Sequence, residues 1–218
     1  MTCYLRIHNI LAAVRPKSEC PDWDAVNTAW QSATSVLQRK MILSEMRLDE
    51  VDLYDLPNAD LSPYCGLIMS GRVDQDFLYE HRDVLAGFLE QGKTVVFSGD
   101  LDQPWLPGSA PALPFAARQG DDLTVRFADH PVFEGINPES TGGYFISGHH
   151  PLPKGGKALA TLPGGEVVIY EDKASTAGTI LVHAGHTLLG YAADARAEAL
   201  SKRLIPQLLS WIRTEATT

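Results

Sequence analysis

The sequence predicts an α/β domain, a mainly parallel, twisted sheet with helices on both faces and additional short strands in the C-terminal half. Three observations predict it. "CGLIMSG" (65–71) and "KTVVFSGD" (93–100) are short apolar runs that each end in a small, glycine-bearing turn. A helical stretch separates them, and strand, helix, strand with short connections is the signature of a parallel sheet. Apolar stripes at helical spacing recur at 24–39, 76–91 and 195–213, enough to cover two faces.

Taken in order, Cys3 to Ile10 reads as the first strand and "VRPKSECPDWD" as a loop. Asp24 then caps a helix whose Ala25, Val26, Ala29, Trp30, Ala33, Val36 and Leu37 share a face,. A second strand is expected over Val51 to Leu56, followed by the turn residues "PNADLSP",. In the next helix Phe77, Leu78, Val84, Leu85, Phe88 and Leu89 align, Asp76 caps the start and Gly92 supplies the stop,. After Asp100 the proline-rich "LDQPWLPGSAPALP" is a loop, and its Trp105 either covers a pocket or belongs to a stiff connection. "DLTVRFAD" alternates like a half-exposed strand. "GGYFISGHH", "KALATLP", "EVVIYED", "GTILVHAG" and "HTLLGYAAD" are further short strands. Asp194 caps a last helix, Ala195 to Arg213, with Leu200, Leu204, Ile205, Leu208, Leu209 and Ile212 as its stripe and a kink at Pro206,. No internal repeat, low-complexity segment or linker interrupts the chain, so residues 1–218 read as a single domain.

Composition narrows the function. Of 218 residues, 44 % are hydrophobic, which suits a globular core, and the formal net charge is −9. An acidic surface repels phosphate backbones and anionic membranes, so neither nucleic acid nor membrane is the expected partner. Cys3, Cys20 and Cys65 form neither a disulfide framework nor a metal-ligand spacing,. "MTCYLRIHNI" lacks the pattern of a signal peptide, and no apolar run reaches membrane-spanning length,. A cytoplasmic protein is the expectation.

Several phrases carry a family resemblance. "GLIMSGRVDQ" (Gly66 to Gln75) resembles the "GIILSGGPGS" loop of class I glutamine amidotransferases, and "VVFSGD" follows where that family has its nucleophile elbow. "HPVFEGI" (His130 to Ile136) resembles a phrase of amidotransferase-like families, including the trehalose-utilisation proteins. "TLLGYAADAR" with the final helix resembles the closing strand and helix of the same superfamily. The resemblance implies a class I amidotransferase-like, flavodoxin-like fold over most of the chain. It also implies what is missing. Gly71 matches the oxyanion-loop glycine, but Arg72 stands where its glycine neighbour would be. Ser98 or Gly99 falls where the family has its cysteine. Ala192 falls near the position of the histidine and Asp194 near that of the glutamate. Glutamine hydrolysis needs a thiolate and a base to activate it, so the resemblance supports the fold and argues against glutaminase activity.

The candidate site follows from fold logic. In open α/β sheets ligands bind beyond the C-terminal strand ends. Ser70, Gly71, Ser98 and Gly99 would let backbone N–H groups approach a ligand, and Arg72 favours an anion. Ser98 fails the serine-hydrolase elbow pattern, since Val96 and Asp100 stand where glycines belong,. Ser98, Asp100, His149 and His150 remain as catalytic candidates, against the simpler view that they are turn and loop residues. Asp102, near Asp100, could cap or bind. His183 and His186, three apart across a glycine, are the candidate metal ligands, though surface turn residues are the commoner case. No cofactor is implied. The expected partner is a small polar or anionic metabolite, with a protein partner or a second copy also open. The function expected is binding by a domain without glutaminase chemistry. The alternative is an enzyme with altered chemistry, a hydrolase of a small polar or sugar-like metabolite, with or without a metal.

Overall fold

The computed structural model describes residues 9–20, 22–114, 123–141, 146–193 and 198–216. Its centre is an eight-stranded sheet in the order β2-β1-β3-β4-β10-β9-β8-β6. These strands are β1 (Ile10–Val14), β2 (Leu48–Asp52), β3 (Gly66–Ser70), β4 (Thr94–Ser98), β6 (Arg126–Phe127), β8 (Lys157–Thr161), β9 (Val167–Asp172) and β10 (Thr179–His183). A separate two-stranded ribbon pairs β5 (Leu113–Pro114) with β7 (Gly148–His149).

The expectation of a mainly parallel sheet is corrected. Only β3–β4 and β4–β10 are parallel, and the other pairings of the large sheet are antiparallel. For β8, β9 and β10 the reason is connection length. β8, β9 and β10 follow one another through short turns such as "LPGGE", where Gly165 has φ 95°. So short a link joins antiparallel neighbours, whereas a parallel pair needs a crossover of a dozen or more residues. Such a crossover exists between β3 and β4, where α3 (Gln75–Glu80) and α4 (Arg82–Leu89) intervene.

The sheet sorts its side chains by period two. Leu67, Met69, Val95, Phe97, Ile180 and Val182 pack with Leu78, Leu85 and Phe88 of α3 and α4. Ile68, Val96 and Leu181 point the other way, into a second cluster. That cluster receives Trp23, Val26 and Trp30 of α1 (Trp23–Ser32) and Leu204, Leu208 and Ile212 of α5 (Glu198–Glu215). Val95 to Phe97 are fully buried, as a central strand requires.

Several boundaries differ from the sequence expectation. The first strand is β1; residues 3–8 of the expected strand lie outside the described residues. The helix expected over 24–39 is two helices, α1 and α2 (Val36–Glu45). Ser35 breaks it, because its hydroxyl accepts from Gln38 N–H while the Gln38 side chain reaches back, a capping box,. Asp24 sits in the first turn of α1 rather than capping it. The strand expected over Val51–Leu56 lies earlier, as β2, and Leu53–Asn58 is a 3-10 helix started by Asp52 accepting from Tyr54 N–H. α3 is capped by Asp74, not Asp76, through a bond from Phe77 N–H at 3.0 Å. Gly92 does follow α4 with φ 76°. "DLTVRFAD" contributes only the two residues of β6, and "HTLLGYAAD" forms a 3-10 helix, Leu188–Ala193, rather than a strand. Asp194 and Ala195 lie outside the described residues. α5 continues through Pro206, whose ring supplies no N–H to the Lys202 carbonyl. Gln31 Nε2 of α1 donates to that carbonyl at 2.8 Å instead.

Candidate functional site

β3, β4 and β10 end level. Ser70 lies opposite Ser98, and Ser98 opposite His183. Each strand then turns through a glycine: Gly71, Gly99 and Gly185. The three turns surround a cavity of 520 Å³ at the C-terminal strand ends. Ser70, Gly71 and Arg72 line it from the first turn, and Ser98, Gly99 and Asp100 from the second. Gly185, His186 and Thr187 line it from the third, and Ser147 closes it from the segment before β7.

The glycines are there so that two backbones can touch. Gly71 N–H donates to the Ser98 carbonyl, and Gly99 N–H to the His183 carbonyl at 2.8 Å. Gly99 has φ 150°. A Cβ on Gly99 would overlap Gly71 Cα and lie 2.9 Å from Gly71 N. The expectation that these two N–H groups face a ligand is therefore corrected: the sheet uses both. Side chains are what the cavity offers.

Gln75, at the start of α3, fixes the second turn. Its Nε2 donates to the Asp100 carbonyl at 2.8 Å, and its Oε1 accepts from Asp102 N–H at 3.0 Å and from Trp105 Nε1 at 2.9 Å. Trp105 is buried edge-on against Phe97, with ring centroids 5.1 Å apart. The "LDQPWLPG" loop is thus a packed connection, not a cover, and Asp102 belongs to it. Asp100 is exposed, and its Oδ1 accepts from Ser147 Oγ at 3.0 Å. Arg72 is also exposed. Among the described residues neither Arg72 nor Asp100 forms an ion pair.

The other candidates divide. Ser98 is 1 % exposed and its Oγ accepts from Leu188 N–H at 3.2 Å, a structural role unlike that of a presented nucleophile. His150 is 2 % exposed and does not line the cavity. Its Nε2 lies 3.2 Å from the Gly99 carbonyl, and its Nδ1 has no partner among the described residues. Burial lowers the His150 pKa, against the pull of the Gly99 carbonyl and Asp100,. His149 is half-buried on β7 opposite Leu113. His183 is fully buried, whereas His186 is exposed on the cavity wall. Among the described residues no group of three or more His, Cys, Asp or Glu side chains could hold a metal ion. Cys65 immediately precedes β3 at the opposite end of the sheet. It is buried, its Sγ bonds the Val14 carbonyl at 3.3 Å, and burial pushes the thiol up to about 11.

Sequence reasoning missed Ser147, Gly185 and Thr187. Ser147 was visible beside "GHH", and "HAGHT" repeats the strand-to-glycine pattern of "MSG" and "FSG". What the sequence lacked was the pairing of β10 with β4, which brings the third turn to the other two.

A larger cavity, 800 Å³, runs along α1 and α5 between side chains such as Gln31, Lys202 and Gln207. Among the described residues its lining comes from α1, α5 and Pro131, with no strand end, so size alone does not make it the better site. No family model matches the chain, nor does any curated protein or solved structure.

Proposed function

We propose that the chain is a class I amidotransferase-like domain that lacks glutaminase chemistry and binds a small polar or anionic metabolite. The observation that carries the reading is the 520 Å³ cavity, with Arg72 and Asp100 on its wall and no thiol among the described residues that line it. Small-molecule sites favour such concave places with a few convergent polar groups, at the C-terminal ends of parallel strands. The motif order "GLIMSG", "VVFSGD", "HPVFEGI" supports the family reading, and the missing cysteine and histidine support the absence of glutamine hydrolysis. A second reading, a hydrolase of a small polar or sugar-like metabolite, is favoured by Asp100 and His186 lining the same cavity, since a carboxylate and an imidazole are the usual proton carriers.

A thermal-shift screen of small carboxylates, phosphates and polyols tests the binding reading. At least one compound is expected to raise the melting temperature of the parent and to lose that effect in Arg72→Ala. Shifts that persist unchanged in both Arg72→Ala and Asp100→Asn would remove the cavity from consideration.

A further inference from the structure

We infer that the cavity recognises a polyhydroxylated carboxylate, a sugar acid, in preference to a bare anion, a neutral polyol or an amino acid. The inference rests on the binding reading above and names the ligand class for the same cavity.

The contact between Gly71 and Gly99 brings the residues after them to one crevice. Those residues are Arg72 and Asp100, which carry opposite charges and line the same cavity. Yet no ion pair joins them, and neither has another ionic partner among the described residues. The wall therefore presents a cation and an anion separately. A ligand that satisfies both must carry an acidic group and a hydrogen-bond donor. A guanidinium fork matches a carboxylate in two parallel bonds. A bare phosphate would satisfy Arg72 but be repelled by Asp100.

The donor that Asp100 accepts is a hydroxyl or an ammonium, and the neighbours distinguish these. Ser147 Oγ donates its proton to Asp100 Oδ1. Its own oxygen is left as an acceptor beside the carboxylate. Ser70 and Thr187 add two more hydroxyls to the wall, and Ser70, Ser147 and Thr187 all keep solvent exposure. Hydroxyls donate and accept, as do ligand hydroxyls, whereas an ammonium only donates. Beyond Arg72, the wall's carboxylate, three exposed hydroxyls and His186 imidazole thus complement a row of alcohols better than a single ammonium. The volume of 520 Å³ accommodates a six-carbon skeleton, since sites for small molecules run from about 300 Å³.

The test is calorimetric titration of the full chain with gluconate, sorbitol, hexanoate, alanine and inorganic phosphate. Gluconate should bind, and the other four should bind at least about tenfold more weakly, a difference near 1.4 kcal/mol. Arg72→Ala should remove the preference for gluconate over sorbitol. Asp100→Asn should weaken gluconate about tenfold and should not weaken hexanoate, whose carboxylate Asp100 only repels. Both positions are exposed, and the unliganded melting temperature checks each fold; Ser147→Ala replaces Asp100→Asn if that variant melts early. Sorbitol, hexanoate, phosphate or alanine binding as tightly as gluconate overturns the sugar-acid class while leaving the cavity a site. No heat from any probe, together with a thermal-shift screen indifferent to both variants, overturns the inference and the binding reading together.

Discussion

The two ends of β3 and β4 are finished in opposite ways. At the end where the strands begin, a thiol and a guanidinium are buried and used, although the Thr94 hydroxyl there is buried without a partner among the described residues. The Cys65 thiol bonds the Val14 carbonyl, and the Arg213 guanidinium, 4 % exposed, bonds the carbonyls of Arg15 and Met46 and stacks 4.4 Å over the Trp23 ring. At the end where the strands finish, the side chains at the turns are small and the charges of Arg72 and Asp100 face a cavity. The same strands serve stability at one end and leave chemistry available at the other. A parallel core makes this possible, because its crossovers lift the chain away from the C-terminal edge.

Glycine substitutions sharpen the contrast most. Gly99→Ala puts a Cβ into the Gly71 backbone at φ 150°, and backbone cannot swing aside. A loss of about 3 kcal/mol or more is expected. At the other end, a Cβ on Gly66 meets Cγ2 of the buried Ile212 side chain and lies 3.3 Å from the Thr94 carbonyl, an overpacking that a side chain and helix can relax more than two touching backbones can, so Gly66→Ala should cost less, about 1–3 kcal/mol. Urea unfolding of the two variants measures both. Equal losses would mean that the turn contact is looser than its geometry implies.

The arginines give the next largest difference. Arg213→Ala leaves two buried carbonyls without their donor and opens space beside Trp23, a loss of about 2–4 kcal/mol. Arg72→Ala should stay within about 0.5 kcal/mol of the parent, as exposed positions do. A destabilised Arg72→Ala would show that the arginine serves the fold and not a ligand.

The same contrast explains what could be read from the sequence. β3, β4 and their small-residue turns were legible because apolar runs ending in Ser-Gly are local signals. The residues Ser70 to Arg72 and Ser98 to Asp100, which line the cavity, followed directly from them. The polarity of β1 was not legible, because its pairing direction depends on partners far along the chain; that of β8 and β9 was carried by the short turns between the strands and was overlooked in favour of the parallel pattern of β3 and β4. The break at Ser35 was hidden because Val36 and Leu37 continue the apolar pattern of α1, while the capping box that separates the helices is a side-chain geometry. In the structure Leu37 is 69 % exposed, so periodicity alone misassigned its face. The role of the glycines was also misjudged: the sequence shows that they are small, not whether ligand or backbone fills the space.

A smaller effect concerns pH at the open end. Burial holds the His150 pKa below its ordinary value, and the unfolded side chain titrates near pH 6.5. The unfolded state therefore takes up the proton first as pH falls. The stabilising contribution is fully present above about pH 6.5 and is lost as pH drops toward the folded pKa. His149, Asp100 and Tyr170 are the neighbouring titratable groups. His150→Gln keeps a donor for the Gly99 carbonyl but cannot titrate. Its stability should fall less than the parent's between about pH 7 and pH 5. Parallel stability curves would place the acid sensitivity elsewhere.

The smallest effect expected is none at all, and it concerns Cys65 at the packed end. A thiol pushed up to about 11 is almost wholly protonated near neutral pH, and the thiolate is the nucleophile. Cys65 is also 6 % exposed and lies immediately before β3, at the far end of the strand from Ser70. Cys20 is likewise buried. Cys3 lies outside the described residues, before the first described strand; purified protein given excess glutamine should release no ammonia, and Cys65→Ser should match the parent in that assay. The serine hydroxyl can still donate to the Val14 carbonyl, so the variant should also stay within about 1 kcal/mol of the parent in stability. Alkylation of the native thiol should be slow and become fast in urea. Glutamine-dependent ammonia release that disappears in Cys65→Ser would reverse the comparison and put the chemistry at the end assigned here to packing.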